Sequence, residues 1–194
     1  MLADARETVP PGCRELVEAL EGAAARSSVS AITAEIEQVL AEMASNGSIE
    51  LPDELRRPCS DSYARRLIYR SEEPPFTVLA MVWAPDQGTP VHDHAGMWCV
   101  EGVVEGSIEV VQYELVERDG ARCRFEAQET VEAGVGSSGR LIPPFDHHTI
   151  RNPAAEECAV TVHVYGGDMV ECKIFEPVGD GWYEERVREL SYTS

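Results

Sequence analysis

The chain has few histidines, no Cys-x-x-Cys pair, no long apolar run and less than half as many basic as acidic side chains. Each shortage excludes something. No stretch of about 18 apolar residues exists, so no membrane span is expected. The first 30 residues carry Asp4, Glu7 and Glu15 and hold no continuous apolar segment, which predicts no secretory leader. The six cysteines, Cys13, Cys59, Cys99, Cys123, Cys158 and Cys172, lack the paired spacing of a zinc ribbon or a thioredoxin-like site. Without a leader, they are expected to stay reduced in a cytoplasmic protein. With 16 Lys and Arg against 35 Asp and Glu, the formal charge is -19. A surface that acidic repels phosphate backbones and anionic headgroups, which argues against nucleic-acid and membrane-surface partners. The plain reading of the charge is solubility. No internal repeat is found.

A chain of 194 residues suffices for one domain with a core and an appendage. Residues 11 to 46 read as helical. Leu16, Val17, Leu20 and Ala24 recur at helical spacing, as do Ile32, Ile36, Val39, Leu40 and Met43. Ser28 or Ser30 caps the second segment and Asn46-Gly47 stops it. A connector with Pro52 and Pro58 follows, with a short helical turn expected at Asp53 to Arg57. From about residue 64, short runs rich in Val, Ile, Tyr and Trp alternate with turn signals. They cover Thr77 to Ala84, Trp98 to Val104, Ser107 to Leu115, Ala159 to Tyr165 and Val170 to Phe175. Many short strands at this spacing predict a sandwich or barrel. The chain thus divides into residues 1–60, a helical segment packed on the barrel, and 61–194, the barrel domain. The helical stripe reads as core-facing, and both a monomer and a homodimer are compatible with it.

All five histidines lie in three short segments: His92-Asp93-His94, His147-His148, and His163 within Thr161 to Tyr165. Imidazole is the commonest protein ligand for mid-row transition metals. On a strand, residues two apart share a face, so His92 and His94 can bind one ion from inside a barrel. His163 alternates with Val160, Val162 and Val164, and on that pattern alone a hydrogen-bonded core histidine is the plainer reading. Cys99 alone reads as a small core hydrophobe, Cys172 as structural, and Arg65 as a solvated charge.

His92-x-His94, followed by Cys99 and then Gly106, resembles the first motif of the cupin barrels. In that motif a glutamate ligand usually stands where this chain has Cys99. Glu101 falls two residues too late for that place. His148 with Asn152 four residues on resembles the second motif, with Phe145 where a glycine is usual. The spacing to Asn152 favours His148 over His147 as third ligand. The resemblance implies a mainly β fold: a cupin (double-stranded β-helix, jelly-roll) barrel with an N-terminal helical segment.

Within the cupins, the stretch from about Tyr63 to Cys172 resembles the thiol dioxygenases, namely cysteine dioxygenase and 3-mercaptopropionate dioxygenase. The resemblance puts His92, His94 and His148 on the three ligands of an Fe(II) cofactor. It puts Thr161, His163 and Tyr165 on the family's Ser-His-Tyr set, and Cys99 with Tyr165 on the pair that forms a thioether in animal members. Many bacterial members have glycine in the cysteine's place. Tyr63 and Arg65 fall on a Tyr-x-Arg segment whose arginine binds the substrate carboxylate, though Arg66 and Arg70 are near enough for a shifted register. The implied partners are a small thiol and O2, and the implied product is a sulfinic acid. Arg65 tilts the substrate towards cysteine, whereas Met97 to Gly102 reads more like the bacterial mercaptopropionate enzymes. Two rivals stand beside this: a zinc hydrolase-type cupin using the same imidazoles, and a cupin that binds a small molecule without turnover.

Overall fold

The computed structural model describes residues 9–193. A 3-10 turn, Pro11–Cys13, leads into α1 (Arg14–Ala24), and α2 (Val29–Ser45) follows after four residues. The Ser28 hydroxyl accepts the Ala31 N–H at 3.2 Å, so Ser28 is the cap of α2. Asn46 closes that helix, and Gly47 takes φ +75°, the left-handed value a glycine tolerates after a helix end. The turn expected near residue 53 is the 3-10 segment Asp53–Arg56. No helix of the described residues is long and apolar enough to cross a membrane.

Eleven strands follow: β1 (Ala64–Glu72), β2 (Pro75–Trp83), β3 (Val91–His92), β4 (Cys99–Glu105), β5 (Ser107–Asp119), β6 (Arg122–Gly134), β7 (Ser138–Leu141), β8 (His148–Arg151), β9 (Ala159–Tyr165), β10 (Glu171–Gly179) and β11 (Trp182–Glu189). One sheet runs β1-β2-β9-β4-β7. The other runs β10-β11-β6-β5-β8-β3 and closes on itself, because β3 also pairs with β10. The molecule is therefore a mainly β jelly roll with an N-terminal helical pair, the class expected from the sequence.

Period-2 alternation gives the five-stranded sheet two apolar faces. Val78, Ala80 and Val82 of β2 and Val160, Val162 and Val164 of β9 form one core with Leu16, Leu20, Ile36 and Leu40 of the helices. Leu79, Met81 and Trp83, with Cys99 and Tyr165, belong to a second core inside the barrel. Gly102 sets the distance between α2 and β4: a Cβ there would lie 3.0 Å from Leu40 Cβ. Gly102→Val is expected to lower stability by about 1–3 kcal/mol through overpacking, read as a lower denaturant midpoint with an unchanged slope.

Candidate metal centre

His92 closes β3, and its strand partner in register is His148 of β8. His94 lies just beyond β3, not on it. The expected same-face geometry is reached by a different route: a turn with Ala95 at φ +52° and Gly96 at φ +78° follows, and Asp146 Oδ2 accepts the His94 backbone N–H at 3.1 Å. One ring nitrogen from each of His92, His94 and His148 falls within 4.8 Å of the other two, and no carboxylate belongs to this group. The ring centroids are 4.5–5.2 Å apart.

The protein also sets which nitrogen each ring can offer. His92 Nδ1 lies 3.2 Å from the Pro90 carbonyl and His94 Nδ1 lies 3.4 Å from Asp146 Oδ2. Both contacts place the proton on Nδ1 and leave Nε2 with a free lone pair. Burial opposes ionisation of Asp146, but the hydrogen bonds and charge of His94 hold its carboxyl below the usual range. Both ring nitrogens of His148 are buried without a hydrogen-bond partner. Such an orphan is costly unless something absent from the protein chain fills it. Burial pushes the pKa of His92 down to about 3 and that of His148 well below its ordinary value, with repulsion from neighbouring imidazoles second. These rings are neutral at pH 7, the form a metal needs. The donor set fits a divalent transition metal.

His147 stands apart from the group. Its ring packs between Phe125 and Phe175, at 5.0 and 5.4 Å.

Across the barrel, β9 brings Thr161, His163 and Tyr165 onto the inner face. Trp83 Nε1–H donates to Thr161 Oγ1 at 2.9 Å, and Thr161 Oγ1 lies 2.8 Å from His163 Nε2. The indole can only donate, so the threonine hydroxyl is free to give its own proton to His163 Nε2, an arrangement that puts the imidazole proton on Nδ1. That nitrogen lies 3.3 Å from Tyr165 Oη. The Tyr165 ring is 6.0 Å from the His94 ring, and burial, then Cys99, raises its pKa well above 10. Cys99 is fully buried, pairs with Tyr165 in register, and lies 4.0 Å from His163 Nδ1. Burial and then Glu101 raise its thiol well above the ordinary range, which keeps it protonated.

Arg65 of β1 shares a register row with Met81 and Thr161. It is 5% exposed, yet among the described residues its guanidinium meets the Met169 carbonyl at 3.1 Å, the Ser191 carbonyl at 3.5 Å and the Tyr192 ring. No carboxylate among the described residues pairs with it. Its charge is near enough to disfavour protonation of His163 and to favour ionisation of Tyr165. Tyr63 stacks on Trp83 at 4.6 Å, so it reaches the same wall through the indole. Arg66 instead donates to the Arg57 carbonyl, and Arg70 pairs with Asp168, which leaves Arg65 as the inward arginine of this segment.

One residue of the site was not assigned from the sequence. Glu101 of β4 is 7% exposed, and its carboxylate lies 3.4 Å from His163 Nδ1 and 3.8 Å from His148 Nδ1. Burial raises its pKa to about 8. The signal was parity: two residues after inward-facing Cys99, position 101 faces inward as well. A cavity of about 590 Å³ between β4, β5, β6 and β7 reaches Glu101, with Val103, Ile108, Gln112 and Leu141 in its walls, and the three clustered imidazoles are not part of its lining.

The family model described as cysteine dioxygenase type I matches residues 25–177. Similar solved structures include the TT1209 protein from Thermus thermophilus, at 21% identity and TM-score 0.46, over 60% of this chain and 94% of that one. A conserved protein with a double-stranded beta-helix domain from Klebsiella pneumoniae has 19% identity and TM-score 0.45, over 58% of this chain and 79% of that one. An RmlC-like cupin protein from Desulfovibrio desulfuricans has 21% identity and TM-score 0.41, over 58% and 90%.

Proposed function

The chain belongs to the cysteine dioxygenase type I family, and from that membership we propose that it is a non-haem Fe(II) thiol dioxygenase acting on a small carboxylate-bearing thiol, cysteine or 3-mercaptopropionate. The reaction joins R–SH and O2 to give R–SO2H: the O–O bond breaks, two S–O bonds form, and the four electrons lost by sulfur reduce the oxygen. The observation that carries the reading is the group of three converging imidazoles, His94 and His148 buried and His92 partly so, with no carboxylate in it. Three uncharged ligands leave a divalent ion its full charge, which favours an anionic thiolate. Bound there by His92, His94 and His148, iron would supply the redox chemistry between thiol and dioxygen.

The chain's own residues do the rest. Arg65, a buried cation without an acidic partner among the described residues, binds the substrate carboxylate through a bidentate pair. Tyr63, stacked on Trp83, walls that end of the site. Tyr165 stays protonated, with its hydroxyl 3.3 Å from His163 Nδ1 and 4.0 Å from Met81 Sδ. A zinc centre would use the same three rings but would have no use for the buried arginine or the tyrosine. The six unpaired cysteines support a reducing, cytoplasmic setting.

Cys99 and Tyr165, partners in register, are the pair for a thioether link. The reduced protein after turnover is then expected to weigh about two hydrogens less than its sequence, with the loss mapped to these residues. An unchanged mass would show the link absent. The proposed activity is tested by loading the protein anaerobically with Fe(II), adding each thiol, and admitting ¹⁸O2. A sulfinate labelled at both oxygens is expected. No sulfinate from these or other small thiols would remove the proposal.

A further inference from the structure

We propose that Glu101 is a positioning residue that ties the metal ligand His148 to His163 by accepting an Nδ1–H from each ring. The inference rests on the metal-centre reading above and adds the residue that joins the ligand set to the Tyr165 chain.

The ligand set has a regular support. Behind Nδ1 of His92 stands the Pro90 carbonyl, and behind Nδ1 of His94 stands Asp146. A metal-bound imidazole generally gives its other N–H to such an acceptor. For His148 the atom nearest Glu101 is Nδ1, at 3.8 Å. Ligation through Nε2 leaves a proton on that Nδ1, and Glu101 is the acceptor beside it. Glu101 therefore completes the support of the third ligand.

Glu101 differs from the other two supports because it also faces His163. The two residues are register partners on β4 and β9, and Glu101 Oε2 is buried with no hydrogen-bond partner. With the Trp83 indole donating to Thr161, the threonine hydroxyl can donate to His163 Nε2, and in that arrangement His163 presents Nδ1–H, 3.4 Å from that oxygen. Both separations are longer than an ideal hydrogen bond. With Nε2 of His148 given to a metal, its proton would stand on Nδ1, the nitrogen that faces Glu101. Among the described residues no Lys or Arg pairs with Glu101, and the polar groups nearest its carboxylate are the two imidazoles. A carboxylate taken from water without a cation is expensive to keep. Two converging N–H donors next to a divalent ion are what this position provides.

The test uses zinc as a diamagnetic probe and does not depend on turnover. Wild type, Glu101→Gln and Glu101→Leu are titrated with Zn(II) against a competing chelator, and the ring protons of the zinc-loaded proteins are assigned by ¹⁵N-histidine NMR. Wild type should carry protons on Nδ1 of both His148 and His163, slow to exchange. Glu101→Leu should bind zinc about 10- to 100-fold more weakly and lose both protected protons. Glu101→Gln, which keeps one acceptor oxygen and the side-chain shape, should fall between and guards against simple misfolding. Equal zinc affinity in all three proteins, or an Nε2–H tautomer at His163 in wild type, overturns the role of Glu101. Failure of the wild type to bind zinc at all would instead remove the metal-centre reading on which it stands.

Discussion

His148→Ala should leave a folded protein that retains almost no iron and consumes no oxygen with cysteine or 3-mercaptopropionate. The ring it removes is the register partner of His92 and the one donor of the group that comes from far along the chain. Two imidazoles remain, both offered by one short segment. Losing a group that merely supports a ligand costs about 10- to 100-fold in affinity, and losing the ligand itself should exceed that. His147→Ala is the matched control. Its ring sits among Phe125 and Phe175, outside the imidazole group, so iron content should stay near that of wild type while stability drops modestly. Metal analysis after gel filtration, with an oxygen electrode, reads both. Reversed results for the two neighbours would move the centre to His147.

Arg65→Gln is expected to lower kcat/KM by about 2–4 kcal/mol, roughly 30- to 1000-fold, for thiols that carry a carboxylate. The variant can still donate to the Met169 carbonyl but loses the charge and the paired fork. Cysteamine, which has a thiol and an amine but no carboxylate, should be turned over equally by both proteins. An equal loss for cysteamine and cysteine would make Arg65 a structural residue that holds the Met169 and Ser191 carbonyls.

The sequence carried the three-imidazole group because its information is local: three clusters of a scarce residue, one of them a His-x-His pair. It carried β9 to the residue, since Val160, Val162 and Val164 face the helices while Thr161, His163 and Tyr165 face the barrel. Only five of the eleven strands stood out. Much of β6 and β11 is exposed, and their charged residues hide any apolar alternation. The two- and four-residue strands β3 and β8 are too short to show a period at all. Choosing Arg65 over Arg70 was beyond parity, because a register shift between Leu67 and Tyr69 breaks the alternation of β1. Glu101 was legible as inward-facing but not as functional, since its partners are a downstream histidine on β8 and another on β9. Spacing ruled it out as a ligand and could not say what else it would touch.

X-ray absorption at the iron edge of the anaerobic, Fe(II)-loaded protein, before and after thiol is added, probes the convergence of the three rings most directly. The scattering should fit three imidazoles with no protein carboxylate, and a sulfur shell should appear with cysteine or 3-mercaptopropionate. Two imidazoles with a bound carboxylate, or no sulfur with any small thiol, would contradict the account.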